Sequence, residues 1–180
     1  EAIKVIQTNK NRPFFLYLAH WGVHAPLQAT REDYEAVGDI EPHRLRVYAA
    51  MIRALDRSVA RIHDALEAEG LADNTIFIFS SDNGGAGYLG LPEINAPFRG
   101  WKVTNFEGGL RVPLFIKWPE QIEAGQKVGT PVAHIDLLPT LAAATGSALP
   151  KDVEIDGENL MPLATHSFGS VSADEWRRET

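Results

Sequence analysis

Four side chains in this sequence have the types and settings to do chemistry together: His24, Asp82, Asn83 and Lys102. Asp82 and Asn83 adjoin in Ser80-Ser81-Asp82-Asn83-Gly84-Gly85. One offers an anionic oxygen and the other a neutral one, both hard donors suited to Ca²⁺ or Mg²⁺. Gly84 and Gly85 allow a sharp backbone turn with no Cβ in the way. His24 can donate a hydrogen bond or a proton. Lys102 is a positive point charge in a glycine-flanked loop. A cation on one side and an ammonium and imidazole on the other would hold a small oxyanion, an electrostatic site for charge developing on a sulfuryl or phosphoryl group. Each residue also has a plainer reading. Asp, Asn and Gly are ordinary residues of strand-ending turns, and a single loop histidine or lysine is commonly a surface residue. His20, His43, His63, His134 and His166 are read in that plain class. Glu107 and Arg111 are read as a bracing pair.

The elements that must position these groups follow from pattern. Ile76 to Phe79 is a short β-branched and aromatic run ahead of the polar turn, which reads as a buried strand. Strand, then carboxylate, amide and two glycines, is how an open α/β sheet presents ligands at the carboxyl end of a strand. Upstream, Phe14 to Ala19 is a second strand candidate, running into the loop His20-Trp21-Gly22-Val23-His24-Ala25-Pro26. Between them lies the clearest helix, Pro42 to Glu69. Leu45, Tyr48, Ile52, Leu55, Val59, Ile62 and Leu66 form one apolar stripe at steps of three and four. Pro42 suits its first turn and Gly70 its end. Arg44, Arg46, Arg53, Arg57 and Arg61 lie mostly off the stripe, as a solvated face with acidic partners. Shorter helices are expected at Glu1–Asn9 and Arg31–Val37. The order strand, loop, helix, strand points to an α/β fold with a largely parallel sheet flanked by helices.

Residues 86–104 form a long loop rich in Gly and Pro, and loops of that length in compact domains are usually functional or disordered. It leads into Phe98–Pro113, FRGWKVTNFEGGLRVP, and then a third strand candidate, Val112–Trp118, with Pro113 suited to a strand start. Asp136 is a fitting N-cap for a helix over Leu137–Thr145 closed by Gly146. Ile155-Asp156-Gly157 reads as a turn.

Composition sets the outer bounds. The chain has 180 residues, 44% hydrophobic and 23% charged, enough for one domain with a core. A net charge of −7 argues against a nucleic-acid partner. There is no cysteine, which excludes disulfides, thiolate zinc sites and a cysteine nucleophile within these residues. No apolar run approaches the length of a membrane span. The chain starts at Glu1 and passes directly into a helix, which predicts a piece of a longer protein.

Four stretches together resemble the sulfatase family of the alkaline-phosphatase-like superfamily: HWGVHAPL at His20–Leu27, the helix, strand and turn ending in SDNGG, the lysine loop FRGWKVTNFEGGLRVP, and the closing HIDLLPTLAAATG with DGENLMPL. The specific part is SDNGG followed by G-x-K-x₄-E-G-G-x-R-V-P. The resemblance covers roughly residues 12–163. It implies that residues 1–163 are the later part of a sulfatase-like catalytic domain with the N-terminal half absent, followed by a polar tail at 164–180. It implies that Asp82 and Asn83 are metal ligands, usually for Ca²⁺, with Mg²⁺ as the alternative. Lys102 and His24 match residues that contact the sulfate and assist the leaving group. Trp101 departs from the small residue usual before the lysine.

The family's nucleophile is a formylglycine made from Cys or Ser in a C/S-x-P-x-R motif, and this chain has no Cys and no S-x-P-x-R. The formylglycine is therefore expected in the missing N-terminal half. The expected function of the parent is hydrolysis of a small sulfated substrate, an aryl or sugar sulfate, with no turnover by this chain alone. Phosphonate or phosphate ester hydrolysis, and a non-catalytic domain that kept the fold, are the alternatives. The resemblance leaves periplasmic and secreted settings open.

Overall fold

In the computed structural model, residues 1–91 and 93–165 are described. Residues 166–180, most of the expected polar tail and with it His166, lie outside them. The chain divides into two compact units, Glu1–Ile116 and Lys117–Thr180.

The first unit begins with α1 (Ala2–Asn9), α2 (Arg31–Ala36) and α3 (His43–Ala68). Strand β1 (Phe77–Ser80), the short helix α4 (Glu107–Leu110) and strand β2 (Leu114–Lys117) follow. The expected α/β class is realised as this two-stranded β1–β2 sheet with its helices. Helix α3 is where the apolar stripe predicted it. Pro42 is its N-cap in extended conformation, and Leu71 N–H reaches back to the Leu66 carbonyl at 2.8 Å past Gly70, whose φ is +67°. A left-handed residue there closes the last turn at no Cβ cost. The stripe is covered unevenly. Leu66 is buried, whereas Ile52 remains 46% exposed and Ala50 and Met51 beside it are buried instead.

Ile6 of α1, Ala65 and Leu66 of α3, and Ala72 form the core of this unit, with Phe14, Leu16, Ile62 and Phe77 packed against it. The segment Phe14 to Ala19, expected as a buried strand, is not one. Its burial alternates at first: Phe14 and Leu16 pack against the core, while Phe15 and Tyr17 are 78% and 82% exposed. The apolar run reads as a buried strand in the sequence; a ladder also requires a neighbouring strand, which no local pattern reports.

Helix α2 starts at Thr30, whose hydroxyl accepts from Asp33 N–H at 3.1 Å and donates to an Asp33 carboxylate oxygen at 2.8 Å. Asp33 is only 1% exposed and ion-pairs with both Arg53 and Arg57 of α3. Arg53 and Arg57 thus have an acidic partner as expected, and it is buried, whereas Arg44 donates to the Leu89 carbonyl at 2.9 Å. A buried carboxylate needs such partners, because desolvation penalises its charge. Arg46 pairs with Asp39 and lies over the Tyr34 ring at 4.1 Å.

In the second unit, α5 (Leu137–Thr145) has Asp136 as N-cap and Gly146 at its close. The Asp136 carboxylate serves the turn His134–Asp136 rather than α5: it accepts from Ala133 N–H at 2.6 Å and from Glu158 N–H at 3.0 Å. The small helix α6 spans Met161–Thr165, so the first two residues of the expected tail are helical. No helix among the described residues is long and apolar enough to cross a membrane.

Candidate active site

Strand β1 delivers the Ser80–Gly85 turn, as its apolar run predicts. The turn leaves Asp82 exposed and Asn83 half-buried. Ser81 donates to the Asn83 carbonyl at 3.0 Å, which holds the turn closed. The Asn83 side-chain amide donates to the Gly84 carbonyl at 3.0 Å. That fixes the amide by its nitrogen end and leaves the carbonyl oxygen as the end able to meet a cation. Carboxylate and amide oxygens are the donor chemistry of a hard divalent ion, so the pair fits Ca²⁺ or Mg²⁺ by type. Among the described residues no group of three or more His, Cys, Asp or Glu is arranged to hold a metal. Asp82 and Asn83 are then two of the six to eight oxygens that Ca²⁺ takes.

The loop 98–106 carries Lys102, and both it and that turn are packed backbone against backbone onto α4. Gly84 N–H donates to the Gly109 carbonyl at 2.9 Å, and Gly108 N–H to the Arg99 carbonyl at 2.7 Å. A Cβ on Gly84 would lie 1.8 Å from the Gly108 oxygen, and one on Gly108 2.4 Å from the Gly100 oxygen. Only glycine permits this approach. The glycines of SDNGG and EGGL thus serve one another as well as their own turns.

Lys102 itself is half-buried, and its backbone N–H donates to the Gly85 carbonyl at 3.1 Å. Thr104 closes the loop around it. Its hydroxyl accepts from Trp101 N–H at 3.1 Å and donates to the Trp101 carbonyl at 2.7 Å. Val103 within that closure has φ +70°. For a β-branched residue this is a sterically unfavourable conformation, held by the surrounding hydrogen bonds. Trp101, the bulky departure before the lysine, is accommodated by Gly87: a Cβ there would come within 3.3 Å of the indole.

His24 and Lys102 are 78 residues apart in sequence, and their side chains meet, Nε2 to Nζ at 3.3 Å. His24 Nδ1 lies 2.8 Å from the Ala25 carbonyl. A carbonyl only accepts and an ammonium only donates, so Nδ1 carries the proton and Nε2 offers its lone pair to Lys102. The Trp21 ring stands edge-on to the imidazole, with centroids 5.6 Å apart. In this arrangement the ammonium can bind an anion and give a proton to a leaving oxygen, and the imidazole, through its Nε2 lone pair, orients that ammonium.

Glu107 and Arg111 pair at 2.6 Å, and the Arg111 guanidinium also lies 4.5 Å over the Phe98 ring. Their bracing role is therefore direct. His63 sits near Glu67, and His43 bonds Tyr34 at 2.9 Å. Asn95 was not anticipated from the sequence. Its amide bridges Gly85 and Gly100, with bonds of 2.7 Å from Gly85 N–H, 3.0 Å to the Gly85 carbonyl and 3.1 Å to the Gly100 carbonyl. Its place in a Gly- and Pro-rich loop signalled only a turn.

Comparison with known proteins places the chain in a family. The sequence model of the family described as Sulfatase matches residues 1–147. Human steryl-sulfatase is 37% identical over 169 residues, covering 91% of this chain and 28% of that protein. Human arylsulfatase H is 37% identical over 177 residues, covering 93% of this chain and 30% of that protein. The chain therefore spans under a third of the curated relatives it matches. Among solved structures, Ps i-CgsB in complex with k-i-k-neocarrahexaose superposes with a TM-score of 0.85 at 38% identity, covering 89% of this chain and 36% of that one. The putative sulfatase yidJ from Bacteroides fragilis superposes with a TM-score of 0.78 at 26% identity, covering 96% of this chain and 41% of that one; the fold is alkaline-phosphatase-like, and the chain belongs to the sulfatase family.

Proposed function

We propose that the protein carrying this chain hydrolyses a sulfate monoester, ROSO₃⁻ + H₂O giving ROH and HSO₄⁻, which ionises to sulfate and a proton. Residues 1–163 are the later part of its catalytic domain. The observation that supports this reading most is the meeting of Lys102 Nζ and His24 Nε2 at 3.3 Å from two separate loops, in a chain of the sulfatase family. The Lys102 ammonium neutralises ester oxygens and draws the anion to the turn after β1. His24, held through Nδ1 by the Ala25 carbonyl, acts on the departing alkoxide or phenoxide through the Lys102 ammonium, which its Nε2 orients. Asp82 and Asn83 are the residues here that would contribute to a divalent-cation site. When bound, that cation supplies further positive charge beside the ester oxygens, and a formylglycine supplies the nucleophile.

This chain has no Cys and no S-x-P-x-R, so we expect no turnover from it alone. The test is 4-nitrophenyl sulfate hydrolysis by the protein expressed from its full reading frame. Activity that falls about 10²–10³-fold in Lys102→Ala, the loss typical of removing one electrostatic donor, supports the reading. Absence of sulfate release, or a Lys102→Ala variant as active as the parent, overturns it.

A further inference from the structure

We propose that Asn95 is a positioning residue for Lys102, setting the lysine loop against the metal-binding turn through a single shared carbonyl. The proposal rests on the sulfate-ester reading above. The Gly85 carbonyl accepts two hydrogen bonds, from Lys102 N–H at 3.1 Å and from Asn95 Nδ2 at 3.0 Å. The same Asn95 amide accepts Gly85 N–H at 2.7 Å and donates to the Gly100 carbonyl at 3.1 Å. One planar group therefore fixes Gly85, two residues after Asn83, and Gly100, two residues before Lys102. Its two donors and one acceptor match what those three backbone groups require, and a primary amide is the side chain that carries both.

The position resists substitution for a second reason. A Cβ on Gly85 would already lie 3.1 Å from Asn95 Oδ1, so the amide is in tight contact with that backbone. Within the loop, Val103 holds φ +70°, an unfavourable conformation for a β-branched residue that persists only when its surroundings over-determine it. Asn95 and Thr104 supply that determination from the two sides of Lys102. Removing the Asn95 amide leaves the Gly85 N–H and the Gly100 carbonyl without this partner and lets the lysine loop move relative to the turn. A misplacement near 1 Å at a reacting group costs about 10²-fold in rate. The effect should appear in kcat, because the ammonium still attracts the anion but no longer meets the leaving oxygen.

The experiment is a double-mutant cycle in the protein from its full reading frame, with kcat and KM for an aryl sulfate and a thermal melt for each variant. Asn95→Ala is expected to lower kcat about 10- to 100-fold with KM changed little. In a Lys102→Ala background the same change is expected to cost less than about threefold, since the group it positions is gone. Asn95→Asp keeps the size and the acceptor but sets a carboxylate against two carbonyls. It is expected to lose kcat near neutral pH and to recover part of it as the pH falls and the carboxyl regains a proton to donate. Equal losses from Asn95→Ala with and without Lys102, or parent-like kcat in Asn95→Asp across the pH range, would overturn the positioning role. If the parent releases no sulfate, or Lys102→Ala alone leaves its rate unchanged, the sulfate-ester reading itself has failed, an outcome separable from the first.

Discussion

In the proposed reaction Lys102 and His24 are the reactive pair, and the bond between His24 Nδ1 and the Ala25 carbonyl gives them an order. With Nδ1 committed to a carbonyl, Nε2 faces the ammonium, and the two present one cation and one polar ring to an incoming anion. Replacing His24 with Ala is expected to lower sulfate-ester turnover about 10²- to 10⁴-fold, the range for losing a positioned proton-transfer group. The loss should be larger for alkyl than for 4-nitrophenyl esters, because a poorer leaving group needs more help. Steady-state rates on the two substrates check this; equal losses would place His24 outside leaving-group stabilisation. The types of these residues were readable in the sequence, since a loop lysine flanked by glycine and a histidine before Ala-Pro are local features. Their meeting was not readable from spacing, because 78 residues separate them and only the folded loops bring them together. Asn95 was illegible for the same reason: every partner of its amide is a backbone group created by folding.

At the scale of elements, the turn after β1 and the lysine loop act as one body because glycines let their backbones touch. Gly84→Ala places a methyl 1.8 Å from the Gly108 carbonyl oxygen. Forcing atoms into a packed space costs about 1–3 kcal/mol or more, so a lower melting temperature and reduced activity are expected together. A Gly84→Ala protein with parent-like melting would contradict the close approach.

Helices α2 and α3 are joined by the buried Asp33. Its hydrogen bond from Arg57 above all, then those from Thr30 and Arg53, hold its carboxyl well below the usual carboxylate range, although burial pushes the other way. A folded-state pKa below the unfolded one stabilises the fold fully above the unfolded value, about 3.9. That contribution is lost as the pH falls from there through the folded value. Thermal melts should therefore change little through Asp33 between about pH 7 and 5 and fall below about pH 4. Asp33→Asn should lower the melting temperature at pH 7 and flatten the acid decline. An unchanged acid slope would contradict the role of this carboxylate. Helices α3 and α5 were legible because stripe, Pro and Gly signals are all local. The Phe14–Ala19 segment misled because an apolar run reports a tendency to burial without reporting a partner strand.

At the scale of the molecule, the chain forms two compact units and spans under a third of the length of the curated relatives it matches. Asp82 and Asn83 offer two donors, and Ca²⁺ requires about six to eight. Isothermal titration of the 180-residue chain with Ca²⁺ is expected to show weak binding without a stoichiometric step; a tight one-to-one isotherm would reveal ligands beyond this pair. The alkaline-phosphatase-like α/β class was legible because its motifs sit on consecutive elements.

The proposed preference for sulfate is tested most directly by paired assays of the protein from its full reading frame. 4-Nitrophenyl sulfate and 4-nitrophenyl phosphate share a leaving group and differ at the central atom. The expected result is a kcat/KM larger for the sulfate, lost on Lys102→Ala; a larger kcat/KM for the phosphate would contradict it.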